Sequence, residues 1–593
     1  MSIYHDQRAA ILARHPGLAP FAPAQPPPAP AIPALGPAGL RRVLGDAAGT
    51  HGALTVVVGF GDGSVLAAIA RDPHLRGKEI HQLLLAGEED AFAAALAAPY
   101  LEALNGLRLR MAMLRRPEDI AGYAITAFAG HAEIPLLAGA DFIEDHPLTG
   151  AAAANRAEWL PQLRKALADR PTSYGNDVVD SFTGLKQASL NAHILLPAPT
   201  IGQMRGLYGT TPVISIAAGP SLKRRIDQLR ALQDRCILVA CDAVLSGLID
   251  AGIDPHFVTP LERIEATRRM MERAGESRAV YAGLPVVMPE VVAAFAGRAI
   301  SISCGDRLYD WLDPGLPFRI NSGMSTGVLS VTVAAAITRG PVYLVGHDLS
   351  REAGAASHWA GASFAGDSWS RIKTRVETRQ SALSGYETRM IPGNGGGLVE
   401  SIAWWDRFRE EIAHEAWQVA QQGREVRNPN AADGIFAKID HTVAAPLPDP
   451  ADLPPLPPTA LPQGDPGRLA RWQARARLLP ADCDAFTAHL GRIRDDLAAM
   501  RPLGSERWDV EALAGRLDFA AAGISEGNQA AFAYFLRSAL HNTNATMHLH
   551  RRVRNAALAR WRMLDAIDQA CQAMANAVAT LRPEIEEIVR ERC

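Results

Sequence analysis

Between Pro212 and Ser350 the chain alternates short, mostly apolar runs with helix-forming stretches, and this alternation limits the fold more than any other feature. The runs are VISIAA from Val213, CILVA from Cys236, HFVTP from His256, AISISC from Ala299 and PVYLV from Pro341. A strand with one wet face alternates apolar and polar residues, whereas one that stays apolar at consecutive positions is covered on both faces. Helices supply that cover, and stretches such as DAVLSGLIDAGIDP carry the helical pattern. The expectation is an α/β fold built on a central doubly wound parallel sheet of Rossmann type.

Ligands in such sheets bind at the carboxyl ends of the strands, so the residues just past each run are the candidates. They are Gly219, Pro220 and Ser221 after the first run, Asp242 after the second and Glu262 after the third. His347 and Asp348 follow the last, with His358 ten residues on. The turn VISIAAGPSLKRRIDQL passes from strand directly into helix, which aims unpaired amides and the positive end of a helix dipole at a guest anion. It lacks the Gly-Lys-Ser/Thr ending of a P-loop, so a triphosphate is not its expected ligand. Asn321, Ser322 and Gly323 stand before MSTGVLSVTVAAAITRG, read as a helix whose free amides offer a second anion or base contact. The alternative for Asp348 is a helix cap or an arginine partner, and for His358 an ordinary loop position.

At 593 residues the chain divides into several domains. Two proline-rich stretches punctuate it, giving a segment over 1–40 and a linker over 426–465. Between them lie an N-terminal Rossmann-like domain (41–150), a helical connector (151–210) and the central α/β domain (211–425); a C-terminal helical bundle (466–593) follows. In the N-terminal domain, LTVVVGFGDGSVLAAIA carries Gly59, Gly61 and Gly63 in a nucleotide-loop pattern. The acidic residue wanted at the end of the next strand is replaced by Ala86 and Gly87 in HQLLLAGEED, with Glu88 able to serve only if the register slips. The glycines are therefore read as permitting tight packing. A helix is expected from Ser401, with the serine as N-cap and Glu410 and Glu411 on its charged face.

A net charge of −3 offers no electrostatic attraction to nucleic acid, and no apolar stretch is long enough for membrane insertion. Six scattered cysteines without Cys-x-x-Cys spacing argue against a zinc site or a disulfide framework and fit a reducing cytoplasm.

Several motifs then recur in one order: GND at Gly175 to Asp177, AAGPSL at Ala217 to Leu222, GIDP at Gly252 to Pro255, NSG, GHDLS, and His358-x-x-Gly361. In this order they resemble the motility accessory factor (Maf) family of flagellin glycosyltransferases. That family shares a domain with MptE-like pterin pyrophosphokinases and is related to bacterial CMP-sialic acid sialyltransferases. The resemblance implies a sialyltransferase-like central domain and an inverting transferase. It would move a CMP-activated nonulosonic acid, of pseudaminic or legionaminic type, onto serine or threonine hydroxyls of flagellin for flagellum assembly and motility. Gly219 to Ser221, Asp242, Glu262 and Asn321 to Gly323 would bind the donor; His358, Asp348 and His347 are the catalytic candidates. The chain departs from the pattern at Ala362, where the sialyltransferases carry a histidine, and at His256 and Glu262. The base is thus open between His358, His347 and a bundle residue, and so is a magnesium or manganese requirement. Two other readings stand: a pterin pyrophosphokinase, with Asp242, Glu262 and Asp348 holding metal, and a non-catalytic flagellin-binding factor.

Overall fold

The computed structural model describes residues 2–25, 32, 35–49, 54–72, 75–96, 107–128, 134–170, 177–350, 358–363, 388–456, 460–550 and 556–593. They form two compact units. The first comprises Met1–Val178, Phe486–Ala522 and Leu536–Val578; the second comprises Val179–Ala485, Gly523–Phe535 and Ala579–Cys593. Residues 466–593 are helical but divided between the two, in the helices Gly467–Ala476, Leu479–Met500, Val510–Gly515, Glu526–Phe535, Arg537–His550 and Ala556–Arg592.

The first unit holds a four-stranded, all-parallel sheet of β1 (Leu54–Val58), β2 (Glu79–Leu85), β3 (Arg108–Leu114) and β4 (Asp141–Ile143), in the order β3-β2-β1-β4. Both faces are covered, which is why β1 is buried at every position and apolar at all but Thr55. Leu54, Val56 and Val58 enter one core with Trp159 and Leu163, while Val57 enters the other with Phe60 and Phe92.

The second unit holds seven parallel strands: β5 (Val213–Ile216), β6 (Ile237–Ala240), β7 (Phe257–Val258), β8 (Val280–Tyr281), β9 (Val342–Val345), β12 (Val426–Asn428) and β13 (Val443–Ala444). Their order is β13-β12-β9-β5-β6-β7-β8. The chain winds outward from β5 through β8 on one side and from β9 through β13 on the other. Winding therefore reverses between β5 and β9, and a reversal of this kind opens a crevice at the carboxyl ends of its two strands. β10 (Thr388–Pro392) and β11 (Leu398–Ile402) form a separate antiparallel hairpin.

Four local expectations are corrected. AISISC forms no ladder; Tyr281, Thr200 and Ile320 meet Ala299, Ser301 and Cys304 through single bridges. Residues 426–428 and 443–444, read as linker, pair as sheet strands, too short and too polar in VRN to show an apolar run. Ser401 lies in β11 and donates its hydroxyl to Leu349 O at 2.7 Å; the helix begins at Ala403. The helix after Asn321-Ser322-Gly323 begins only at Thr326, with Ser325 as N-cap accepting from Gly327 and Val328. That helix, Thr326–Ile337, is apolar on all sides because it is buried beneath the sheet. Among the described residues no helix is long and apolar enough to cross a membrane.

Candidate active site

The crevice between β5 and β9 gathers several of the residues singled out by sequence. Past β5 the chain turns through Gly219 into the short 3-10 helix Pro220–Arg225. Past β9, Gly346 takes a left-handed φ of 72°, and so does Leu349 at 50°, which is uncommon for a side chain of that size. This strained path carries the Asp348 carboxylate back over the first turn. Ser221 donates its amide to Asp348 Oδ2 at 2.7 Å and its hydroxyl to Oδ1 at 2.5 Å. Gly219 N donates to Gly346 O at 2.8 Å. The amides of the Gly-Pro-Ser-Leu turn are thus satisfied largely by the chain itself. Burial raises the Asp348 pKa, while the Ser221 bonds and nearby Arg224 oppose the rise.

His347 points the other way. Its Nε2 shares a 2.9 Å hydrogen bond with Ser215 Oγ, which meets Ser330 Oγ at 2.6 Å beneath the sheet. Burial brings its pKa down to about 4, so the ring is neutral and ties β5, β9 and the helix Thr326–Ile337 together.

Asp242 lies past β6 and is buried, accepting from Ala243 N at 2.8 Å and from the Thr326 hydroxyl. Desolvation, helped by the charge of Glu262, brings its pKa up to about 7. Glu262 lies past β7, close enough for its charge to act on Asp242, and burial raises its own pKa as well. His256 is also remote, its Nδ1 accepting from Leu238 N at 3.1 Å near the start of β6.

Asn321, Ser322 and Gly323 form the turn that leads to the Ser325 cap. Asn321 Oδ1 accepts from Gly323 N at 3.0 Å, and Gly323 has φ 59°. Added at Gly323, a Cβ would lie 2.4 Å from Val328 Cγ1, so glycine is required twice over.

Residues 358–363 cross the carboxyl ends of β5 and β6, with Trp359 N donating to Ala218 O at 2.8 Å and Ser363 N to Ala243 O at 2.9 Å. The Trp359 ring lies against Gly247 and Gly361, and Ala362 is buried in the same core. His358, on the rim, meets the edge of Trp405 at 6.1 Å between ring centroids. Burial lowers its pKa, which leaves it neutral and able to accept a proton. Gly175 and Asn176 of the GND motif lie outside the described residues.

Sequence reasoning missed four contributors. Ser325 and Thr326 had a readable signal, a Ser-Thr pair before an apolar run. Trp405 reads as core from its neighbours. Glu411 reads as surface, but its Oε2 accepts from Met324 N at 3.2 Å and its Oε1 from Arg407 at 3.2 Å, bracing the turn from the helix Ala403–Gln421. Among the described residues no group of three His, Cys, Asp or Glu side chains is placed to hold a metal ion.

Two comparisons bear on this arrangement. Residues 191–354 match the family model described as 6-hydroxymethylpterin diphosphokinase MptE-like. The whole chain superposes on the solved structure of the MAf glycosyltransferase from Magnetospirillum magneticum AMB-1, with a TM-score of 0.60, 17% identity, and coverage of 100% of this chain and 99% of that one. No curated protein matches the sequence. The fold is therefore shared from end to end with that structure, and the resemblance drawn from the motifs is matched by both findings.

Proposed function

We propose that the protein is a cytoplasmic glycosyltransferase of the Maf type. It transfers a nonulosonic acid from a CMP-activated donor to serine or threonine hydroxyls of flagellin. The observation that carries this reading is the convergence of the Gly-Pro-Ser-Leu turn, the Asn-Ser-Gly turn and His358 on one edge of the central sheet, within a fold shared over the whole chain with a glycosyltransferase.

The chemistry asks little of the protein beyond placement. CMP is a good leaving group, so the site must hold its phosphate, shelter an oxocarbenium-like carbon and remove one proton from the acceptor. Because Asp348 engages Ser221, Ser221 serves as a wall of the site, and Gly219 and Pro220 form its rim. The departing phosphate is assigned to the turn Asn321 to Gly323 and the first turn of the helix Thr326–Ile337, whose dipole favours negative charge. Asp242, bonded to Thr326, sets the depth of the nucleoside pocket. His358 takes the acceptor hydroxyl proton as the acceptor oxygen bonds the anomeric carbon and the carbon–phosphate oxygen bond breaks. One displacement inverts the anomeric centre; a product with the donor's configuration would exclude this step.

The second reading, pyrophosphokinase chemistry on a pterin, is favoured by the family-model match over 191–354. Asp348, with both oxygens engaged by Ser221, is poorly placed to join Asp242 and Glu262 around magnesium. Thermal denaturation with CMP, UDP, GDP and ATP, each with and without magnesium or manganese, separates the two. A ligand at a hundredfold excess over its Kd adds roughly 2.7 kcal/mol. CMP alone is expected to stabilise the chain. Stabilisation by ATP alone would transfer the assignment to the pyrophosphokinase, and no response to any nucleotide would leave a flagellin-binding factor.

A further inference from the structure

The loop after β1, Gly59-Phe60-Gly61-Asp62-Gly63, has the form of a phosphate-binding turn. Three glycines with φ of 91°, 60° and 76° join a buried strand to the helix Ser64–Arg71. Its amides are already engaged. Glu88, 2% exposed just past β2, accepts from Phe60 N at 2.6 Å and Gly61 N at 2.9 Å through Oε1, and from Leu85 N at 2.8 Å through Oε2.

The space beside the loop is engaged too. Winding in this sheet reverses between β1 and β4, where a nucleotide would lie across the strand ends. His146, Pro147 and Leu148, just past β4, occupy that place. His146 Nε2 donates to Gly59 O at 2.9 Å. A Cβ added at Gly59 would fall 2.6 Å from Leu148 Cδ1, and one at Gly61 would fall 3.0 Å from Pro147 O.

We infer that the Glu88 carboxylate is a built-in oxyanion that fills the loop's phosphate position and, with His146 to Leu148, closes the N-terminal domain to nucleotides. Its glycines then serve the approach of a side chain of the same protein, as they would serve a pyrophosphate in a binding domain. The carboxylate fits the role chemically, since an ionised acceptor strengthens each amide bond it receives. Arg156 lies near enough to favour its charge, offsetting part of the desolvation. The ligand class the emptied loop would take is a small oxyanion such as formate or inorganic phosphate.

The test uses the full chain with Glu88→Ala and Glu88→Gln, followed by amide hydrogen exchange over residues 54–64 and at Leu85 and by thermal denaturation. In Glu88→Ala, exchange over this segment should rise by about tenfold or more, the amides having lost a charged acceptor. Formate or phosphate should restore protection in a saturable way, while chloride at equal ionic strength should not; the wild type should respond to neither. Should Glu88→Ala fail to fold, Glu88→Gln keeps one carbonyl for Phe60 and Gly61 but turns an amide group on Leu85 N, so protection should fall at Leu85. A Glu88→Gln variant with wild-type exchange at all three amides overturns the inference. So does a Glu88→Ala variant indifferent to oxyanions, or a nucleotide that protects the loop in the wild type. None of these outcomes depends on the proposed transferase activity.

Discussion

Replacing Gly219 by alanine isolates the contact between the two loops of the crevice. Gly219 has φ −64° and ψ 156°, a conformation alanine adopts freely, so no backbone strain enters. The effect is purely steric. A Cβ there would lie 2.5 Å from Asp348 Oδ2 and 2.5 Å from Gly346 O, and neither can retreat cheaply, one being backbone and the other fixed by two hydrogen bonds. Overpacking of this kind costs about 1–3 kcal/mol. Loosening either Ser221 bond to the carboxylate adds roughly 1.5–3 kcal/mol. A net loss on the order of 3 kcal/mol lowers the midpoint of a unit of this size by roughly 4 °C. Gly305→Ala is the control, because an added Cβ there meets nothing within 4 Å. Thermal and urea denaturation of both variants, read beside CMP binding, decides the matter. A Gly219→Ala protein within about 0.5 kcal/mol of wild type, the range of an ordinary surface change, would refute the steric account.

His358→Ala should lower kcat by about 10²–10⁴-fold while leaving the Kd for CMP near its wild-type value; an unchanged kcat in a glycosylation assay would remove His358 as the base. His347→Gln should flatten the acid limb of stability. A folded pKa of about 4 against an ordinary 6.5 gives a contribution fully present above pH 6.5 and lost as pH falls toward 4, on the order of 3 kcal/mol in all. Urea midpoints at pH 7 and 4.5 test this, and parallel wild-type and variant curves would contradict it. Asp242→Asn keeps an acceptor for Ala243 N and removes a charge whose folded pKa is about 7. The wild-type carboxyl contributes stability at low pH that disappears as pH rises through 7, so the variant should gain on wild type between pH 5 and pH 8 in denaturant midpoint; a constant difference would argue against burial of the charge.

The central sheet was legible because a strand covered on both faces is mostly apolar, as VISI and VYLV are, with Ser215 the polar exception that bonds His347. β12 and β13 were hidden by their brevity, since VRN and VA pair at the outer side of β9 where little apolar surface is needed. AISISC misleads in the opposite sense: its isoleucines and Cys304 are buried, but its backbone makes only isolated bridges. For the site, the strand-end rule pointed to Gly219, Ser221, Asp242 and Asp348 but not to Ser325, Thr326, Trp405 or Glu411, and it could not say where each side chain pointed. Asp348 and Ser221 lie 127 positions apart, and nothing local in either motif announces that they bond each other. The same holds for Glu88, whose partners at Phe60 and Gly61 are set by the neighbouring strand, so the register that decides its role is a tertiary fact. Ala362 was read as a lost catalytic position, and in the structure it is a buried methyl beside Trp359.

The division of the chain bears on how it is made. The first unit draws on Phe486–Ala522 and Leu536–Val578, and the second on Ala579–Cys593. On a ribosome, where N-terminal domains ordinarily close before later ones emerge, neither unit here has all its parts until residues near 578 and beyond have been made. β9 likewise waits for residues 426–428 before its second edge is paired. Until those residues arrive, the nascent chain leaves an edge of β9 unpaired and apolar helix-facing surface uncovered, the kind of exposure that chaperones bind. Removing residues 560–593, far from trimming a peripheral module, would take material from both units at once.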